Sequence, residues 1–530
     1  MKRLLLALSV VAALHSAACS GGNNIVNPPP PAGKFSLSSL KGQYAFVTNG
    51  EVFASGAATA TPLARTGSFT ADGMGGITTG IEDAVEPGVL PNLAIPITGG
   101  SYTVNADGRG TLTLNVTSAS GPSSINFGIV LTSTSDGLMI DETSTNAQAS
   151  TGSGNFILQN AGSFTSPVLP VAASYVFDFS GVDGNLNPDS LVGEFSAGSG
   201  AITGGFEDAN FNFSTTNGTI PPGTLTQDPL DASSLATFGR GTAQLAGESY
   251  VFYIVDSTRL RFISTGGGFM LSGDAVLQTS VPNSLNGDFT FLVAGSSINN
   301  GITRVGRFTV SGANLTKVLA DTNTGGTFFP TNNVSATNIS LDAANPGRGT
   351  LTFTDANFPN RPISFVFYLN SPTQGVIQET TGTNGVAESV SDGTIAAQSG
   401  GPFSTTNITG TYALNWSGLS SQQGGQFIDE EDLLAQATVT SLALSGTSDI
   451  FQFTAGAPQT GLALGGTIKI NGDGSGGDGM RSTLSVIYNK SSGATVNSVI
   501  YFANPGLAFF ANNTNTGTQR TVAGILKLQQ

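Results

Sequence analysis

The chain of 530 residues holds one histidine, one cysteine and one tryptophan, and only 10% of its residues are charged. His15 and Cys19 both fall within the first twenty positions, in a stretch that reads as a targeting segment. A chain without that stretch has no imidazole and at most one thiol, at its N-terminal end. This excludes His-dependent catalytic triads, His/Cys metal sites and internal disulfides. Basic residues are scarce as well, 19 against 34 acidic ones, or 17 against 34 once Lys2 and Arg3 are removed. Phosphate binding runs on Lys and Arg, so no nucleic-acid partner is expected. No cofactor and no metal is expected either. Glycine is abundant by contrast, with 71 residues, beside 39% hydrophobic residues that suffice for packed cores.

Met1-Lys2-Arg3 is a basic start, and Leu4 to Leu14 is an apolar run broken only by Ser9. The run is too short for a bilayer span, which needs about 20 residues, and fits the apolar core of a secretory signal. Ser16-Ala17-Ala18 and Cys19 follow. This arrangement resembles the lipobox of bacterial lipoproteins, a family in which cleavage before the Cys frees it to carry lipid. Three positions before the Cys that family usually has Leu, where this chain has Ser16. Ser16-Ala17-Ala18 equally satisfies an ordinary small-x-small cleavage site. Ser20 to Gly33 reads as a solvated tether, stiffened by a polyproline II stretch at Pro28 to Pro31. The resemblance implies a signal peptide at 1–18, a tether at 19–34 and membrane attachment through lipid on Cys19. It places the protein in the cell envelope, at the outer membrane, with secretion as the alternative. A diacyl or triacyl Cys carries more than one chain, which makes anchoring stable.

The remainder is one motif written four times. Gly108-Arg109-Gly110-Thr111, Gly239-Arg240-Gly241-Thr242 and Gly347-Arg348-Gly349-Thr350 recur at similar positions, with Arg481-Ser482-Thr483 as a diverged fourth. Each copy opens on a spaced pair, Tyr44/Phe46, Tyr175/Phe177, Phe289/Phe291 and Tyr412/Leu414. Each closes on Gln: Gln159, Gln278, Gln398 and Gln529, at intervals of 119, 120 and 131 residues. The copies span 35–160, 161–279, 280–399 and 400–530.

Copy one divides into eight short runs near 42–48, 64–70, 76–82, 99–105, 110–116, 124–132, 137–142 and 152–159, several joined by Asp-Gly turns. Outside the signal, helical periodicity is limited to Asp429 to Ala435, a short helix candidate. The fold class is therefore all-β: four tandem antiparallel meander domains of about eight strands. A small barrel of the lipocalin/avidin size is favoured, because closure removes exposed edges, with a β-sandwich as alternative. A 120-residue unit can bury its own core, so four beads in a row are expected, with Pro167, Pro170, Pro282 and Pro402 stiffening the joints. As a whole the pattern resembles large tandem-repeat lipoproteins of soil bacteria whose function is uncharacterised, a resemblance that brings no activity with it.

Carboxylate pairs are the one catalytic option left. Glu82-Asp83 and Glu207-Asp208 are adjacent, and neighbours on a strand point to opposite faces. Their recurrence in register, with Asp321 in copy three, points to a structural role. Asp83, Asp208 and Asp321 precede Arg109, Arg240 and Arg348 by 26, 32 and 27 residues. The expectation is an Asp–Arg clasp inside each of the first three domains, with a solvated turn arginine as alternative. Asp72-Gly73-Met74-Gly75 reads as a hairpin turn rather than a calcium loop, as does the richer Gly472 to Asp478. Trp416 shares period-two spacing with Tyr412 and faces the interior. Val251 to Ile254 and Phe365 to Tyr368 are apolar on both faces, as strands covered by a neighbouring domain would be. The leading function is a lipid-anchored, non-enzymatic scaffold, spacer or adhesin with a surface glycan or protein partner. Barrels that each hold a small apolar ligand or glycan come second, and a carboxylate-based glycoside hydrolase a distant third.

Overall fold

The computed structural model describes residues 34–54, 60–118, 121–145, 148–228, 238–298, 300–331, 334–359, 361–383, 386–422, 426–470, 481–513 and 520–530. The signal segment, Cys19, the tether and the Gly472 to Asp478 loop lie outside these residues.

Barrel one is a meander of eight antiparallel strands: Lys41–Ala54, Thr61–Asp72, Gly76–Val85, Asn92–Tyr102, Arg109–Ser118, Gly121–Ser133, Asp136–Asp141 and Gln148–Leu158. The last pairs back on the first and closes the wall. Barrel four, from Gly410–Gln422 to Arg520–Leu528, closes in the same way. Barrel two also closes, with its fourth strand split into Ser214–Ile220 and Gly223–Gln227. In barrel three no ladder joins the third strand, Asn314–Thr324, to the fourth, Ser335–Leu341, so the wall has an open seam among the described residues. The seam is crossed by the Thr337 hydroxyl donating to the Leu315 carbonyl at 3.2 Å, and Thr327–Phe329 pairs with the end of the third strand. The architecture is the expected barrel, not the sandwich.

Period-two alternation explains the walls. In the first strand of barrel one Tyr44 and Phe46 point inward and Ala45 outward. The inward opening residue of each of the first three copies stacks on a ring of the second strand. Tyr44 on Phe69, Tyr175 on Phe195 and Phe289 on Phe308 all have centroids 5.6 Å apart. Trp416 is fully buried in the core of barrel four. At the turn between the second and third strands the Asp72 carboxylate accepts the N–H groups of Met74 and Gly76 at 2.6 and 2.9 Å, which hold its pKa below the usual range. That carboxylate serves the hairpin.

Two expectations are corrected. Asp429 to Ala435 is not helical; it lies in the strand Gln426–Thr440. Leu433 and Ala435 face the core of barrel four while Leu434 faces outward, so the run follows the strand period, and an apolar neighbour on each side suits it to a buried wall.

The four barrels also do not lie in a row. Barrel one packs on two and four, two on three, and three on four, which makes a closed ring. The reason is apolar surface on the outside of each wall. Val251 and Tyr253 of barrel two cover Ala45, Ala64 and Ile81 of barrel one. Val366 and Tyr368 of barrel three cover Val176 and Val192 of barrel two. Val499 and Tyr501 of barrel four pack with Leu292 and Val305 of barrel three, and Val130 and Leu138 of barrel one join Ala413 and Leu434 of barrel four. The sixth strands that were apolar on both faces are thus buried from inside and outside.

The last joint depends on the C-terminal end, where the Gln530 N–H donates to the Thr132 carbonyl of barrel one at 2.6 Å. Truncation after Leu528 is expected to loosen the joint between barrels four and one and to raise the radius of gyration in small-angle scattering. An unchanged radius would show that this end does not hold the ring.

Candidate functional site

The recurring charged residues meet at the barrel–barrel joints. Arg240 of barrel two donates from Nε and Nη2 to both oxygens of Asp83 of barrel one, at 2.9 and 2.7 Å. Arg348 of barrel three holds Asp208 of barrel two in the same bidentate way, at 2.7 and 2.8 Å. Arg481 of barrel four reaches Asp321 of barrel three at 2.8 Å. Arg109 of barrel one closes the circle on Asp449 of barrel four, with Nη2 at 2.7 Å from each oxygen. The expected pairing inside one repeat is therefore overturned: Asp83 meets Arg240 rather than Arg109, Asp208 meets Arg348 rather than Arg240, and Asp321 meets Arg481 rather than Arg348. The Asp sits on the outer face of the third strand and the Arg at the start of the fifth, and these positions come together only across a joint.

Each acceptor is built to hold a charge. Tyr253 and Tyr368 donate to Asp83 and Asp208 at 2.5 Å, and Tyr501 donates to Asp321 at 2.7 Å. Backbone N–H groups of Ala94, Thr331 and Gly461 donate to Asp83, Asp321 and Asp449 at 2.8, 2.9 and 2.6 Å. A desolvated carboxylate with a guanidinium, a phenol or a backbone amide around it is satisfied, as a buried charge must be. Burial raises the Asp321 carboxyl, opposed by the Arg481 guanidinium, and burial with the Asp83 charge beside it raises the Tyr253 phenol.

The closing glutamines form a second set of hooks. Gln159 Nε2 donates to the carbonyls of Phe238 and Ile254, at 3.0 and 2.6 Å. Gln278 reaches Pro346 and Leu369, Gln398 reaches Phe502, and Gln529 reaches Asp107 and Leu131. The residue after each glutamine repeats the contact: Asn160, Thr279, Ser399 and Gln530 donate N–H to Val255, Asn370, Ala503 and Thr132. This geometry explains the Gly-Arg-Gly-Thr motif. Its first glycine has φ +87° at Gly108 and +97° at Gly347, and a Cβ there would lie 2.6 or 2.7 Å from the incoming Gln529 or Gln278 amide. The motif is a docking turn.

Asp449 and the three tyrosines were missed in the sequence. Asp449 precedes Arg481 by 32 residues, the spacing of Asp208 and Arg240, and that interval was the available signal. Tyr253 and Tyr368 lie inside the doubly apolar runs, where a hydroxyl reads as incidental, and Tyr501 lies in the diverged fourth copy.

The adjacent acids divide as strand geometry requires. Asp83 points out to its clasp, whereas Glu82 points into barrel one, 3.2 Å from Arg65. Burial pushes the Glu82 carboxyl up to about 7 and the Glu207 carboxyl, with Asp208 beside it, up to about 7. Glu431 is likewise internal, accepting from Trp416 at 3.1 Å and Arg520 at 2.9 Å.

The fourth joint differs. Val130 stands where the other joints have tyrosine, and Glu142 lies beside Arg109 and Asp449, its carboxyl raised to about 8 by burial and by Asp449. Asp178 and Asp189 are raised by burial to about 7 and 8.

No protein-family model matches the chain, and no curated protein matches it. Solved structures found by shape include a mutant of the vaccine antigen transferrin binding protein B from Haemophilus parasuis. It is 10% identical, with 96% of this chain and 98% of that chain covered, at a TM-score of 0.20. Intact Ap-TbpB, with its N and C lobes, is 11% identical over 74% and 83%, at 0.16. CghA with Sch210972 is 9% identical over 68% and 89%, at 0.18. Likenesses this weak carry no argument, and the barrel architecture rests on the strand pairing itself.

Two outcomes are expected. Asp83→Ala leaves the buried Tyr253 hydroxyl without its acceptor and removes one of the two acids on Arg240, which keeps Asp228, and lowers stability by about 2 kcal/mol. In denaturant titrations it should couple strongly to Arg240→Met and be additive with Arg109→Ala, whereas an intra-repeat clasp gives the reverse. Second, carboxyls with raised folded pKa values keep protons that the unfolded chain has lost between about pH 4 and 8. Their contribution is complete below the unfolded pKa and is lost as pH rises through 7 to 8. Thermal midpoints should fall from pH 5 to pH 9, and Glu142→Gln should flatten the alkaline part of that fall. A midpoint that rises over this range contradicts the assignment.

Proposed function

We propose that the protein is a non-enzymatic binding scaffold of the bacterial cell envelope, held by lipid on Cys19 at the end of the 19–34 tether. The observation that supports this reading is the ring. The acid and arginine residues that recur through the repeats are consumed in barrel–barrel clasps, and each adjacent acid pair is split between the interior and a joint. Among the described residues these acids form no open groove with two facing carboxylates, which weighs against a glycoside hydrolase. A ring is shorter than four beads in line, so a platform or adhesin fits better than a spacer. Four barrels joined in one ring are suited to multivalent contact with a surface protein or glycan. The net charge of −15 leaves nucleic acid a poor partner.

The anchor is tested by fractionating cells that make the wild type or Cys19→Ser and by mass spectrometry of the mature N-terminus. A lipid-modified Cys19 in the membrane fraction, with the variant released, is the expected result. A mature end without lipid, and equal release of both proteins, would sink the anchored reading and leave a secreted one.

A further inference from the structure

One mouth of barrel three holds a cavity of about 230 Å³. Its walls are inward-facing positions of several strands, Ser297, Arg304, Thr322, Thr324 and Glu379 among them, with Phe358 from a connecting segment. The mouths of β-barrels are common ligand sites, and this volume is somewhat below the roughly 300–1,000 Å³ of drug-sized pockets, so it suits one small ligand. Arg304 and Glu379 are buried, at 4% and 1% exposure.

The charges in the mouth neutralise one another. Arg304 donates from Nε and Nη2 to Glu379 at 3.3 and 2.9 Å and from Nη1 to Thr322 at 2.6 Å. Glu379 also accepts from Ser391 at 3.2 Å, and Arg361 is ion-paired with Glu388. Two cations thus face two anions, and an ionic ligand would have to displace one of them. Hydrogen-bonding capacity remains nonetheless. A guanidinium has five N–H donors, of which Arg304 spends three, and a carboxylate has about four acceptor sites, of which Glu379 uses three. Thr324 adds a hydroxyl, and Phe358, with the Arg304 guanidinium over its ring at 5.6 Å and Phe329 packed at 5.5 Å, adds apolar surface to the lining.

The equivalent positions differ around the ring. By register the site of Arg304 is Arg65 in barrel one, Leu191 in barrel two and Leu433 in barrel four. In barrels two and four the side chain belongs to an apolar core. In barrel one Arg65 is shared between Glu82 and Asp141, at 3.2 and 3.7 Å, behind a closed wall. The combination of a polar, charge-balanced interior with an open seam belongs to barrel three among the described residues.

We infer that the mouth of barrel three binds one small, neutral, polyhydroxylated ligand of the monosaccharide class. Hydroxyl groups of such a ligand take the unspent donors and acceptors without breaking either ion pair, and its C–H face lies on Phe358. The inference goes beyond the scaffold reading and does not depend on the anchor.

The full mature chain is titrated calorimetrically with glucose, galactose and N-acetylglucosamine, and separately with glutamate and lysine as charged probes. Saturable binding of at least one sugar is expected, and none of the charged probes. Thr324→Trp, which fills the cavity, should weaken binding at least tenfold. Thr324→Val, which keeps the shape and removes one hydroxyl, should weaken it severalfold with the unfolding midpoint unchanged. Absence of binding by all three sugars, binding of glutamate or lysine instead, or sugar binding unaffected by both variants would overturn the inference.

Discussion

A buried carboxylate that finds its counter-charge only on the next barrel is the constraint on which the structure depends. Inside a desolvated wall Asp83 or Asp321 is costly unless its charge is met, and its own barrel offers backbone amides but not the cation. The neighbour supplies guanidinium and phenol together from its fifth and sixth strands, at three of the four joints. Apolar burial gives each joint its area, and the clasp gives it direction: a rotated or displaced barrel would leave a charge and a hydroxyl unmet in a dry interface. Direction matters because a joint that did not turn the chain by the right amount would not bring barrel four back to barrel one.

The same logic explains the division of labour along each strand. Inward positions are aromatic and aliphatic toward one end of the barrel and carry ions toward the other, where Arg65, Arg304 and Arg520 each have an internal acid. Outward positions on the first, second, third and sixth strands include apolar, clasp-forming and buried polar residues, as where the Ser272 hydroxyl of barrel two donates to Asn49 of barrel one at 2.6 Å. The fourth strand of barrel one, Asn92–Tyr102, packs Ala94 at the joint with barrel two and alternates between buried and exposed from Ile95 to Thr98. Polar hydroxyl and amide side chains dress such solvent faces, so few charges are needed outside, and many of those present work in the joints.

The fold was largely legible because barrel strands alternate with period two and because repetition exposed the unit. The doubly apolar run at Val251 to Ile254 already implied a second covering layer. What the sequence could not reveal was which copy met which. In a tandem repeat the interval from Asp83 to Arg109 and the interval from Asp83 to Arg240 differ by one period, so a clasp within a repeat and a clasp between repeats leave the same pattern. Only strand geometry separates them, since the third and fifth strands of one barrel carry these side chains toward different neighbours. Asp429 to Ala435 was misread because four consecutive acids mimic a helical start, and the buried Glu431 has an internal arginine that lies 89 residues away. Asp449 was hidden by the divergence of copy four.

The docking of Gln529 and Gln530 on barrel one has a consequence for assembly. Each joint is heterologous, head to tail, and such contacts give rings when the rotation closes and open polymers when it does not. Here all four joints lie within one polypeptide, and the closing one involves Gln529 and Gln530. A chain whose final joint is unmade carries a free Arg109 face at one end and a free Asp449 face at the other. Those two surfaces complement the ends of any second chain in the same condition, so intramolecular closure is what keeps neighbouring copies from joining into a strand.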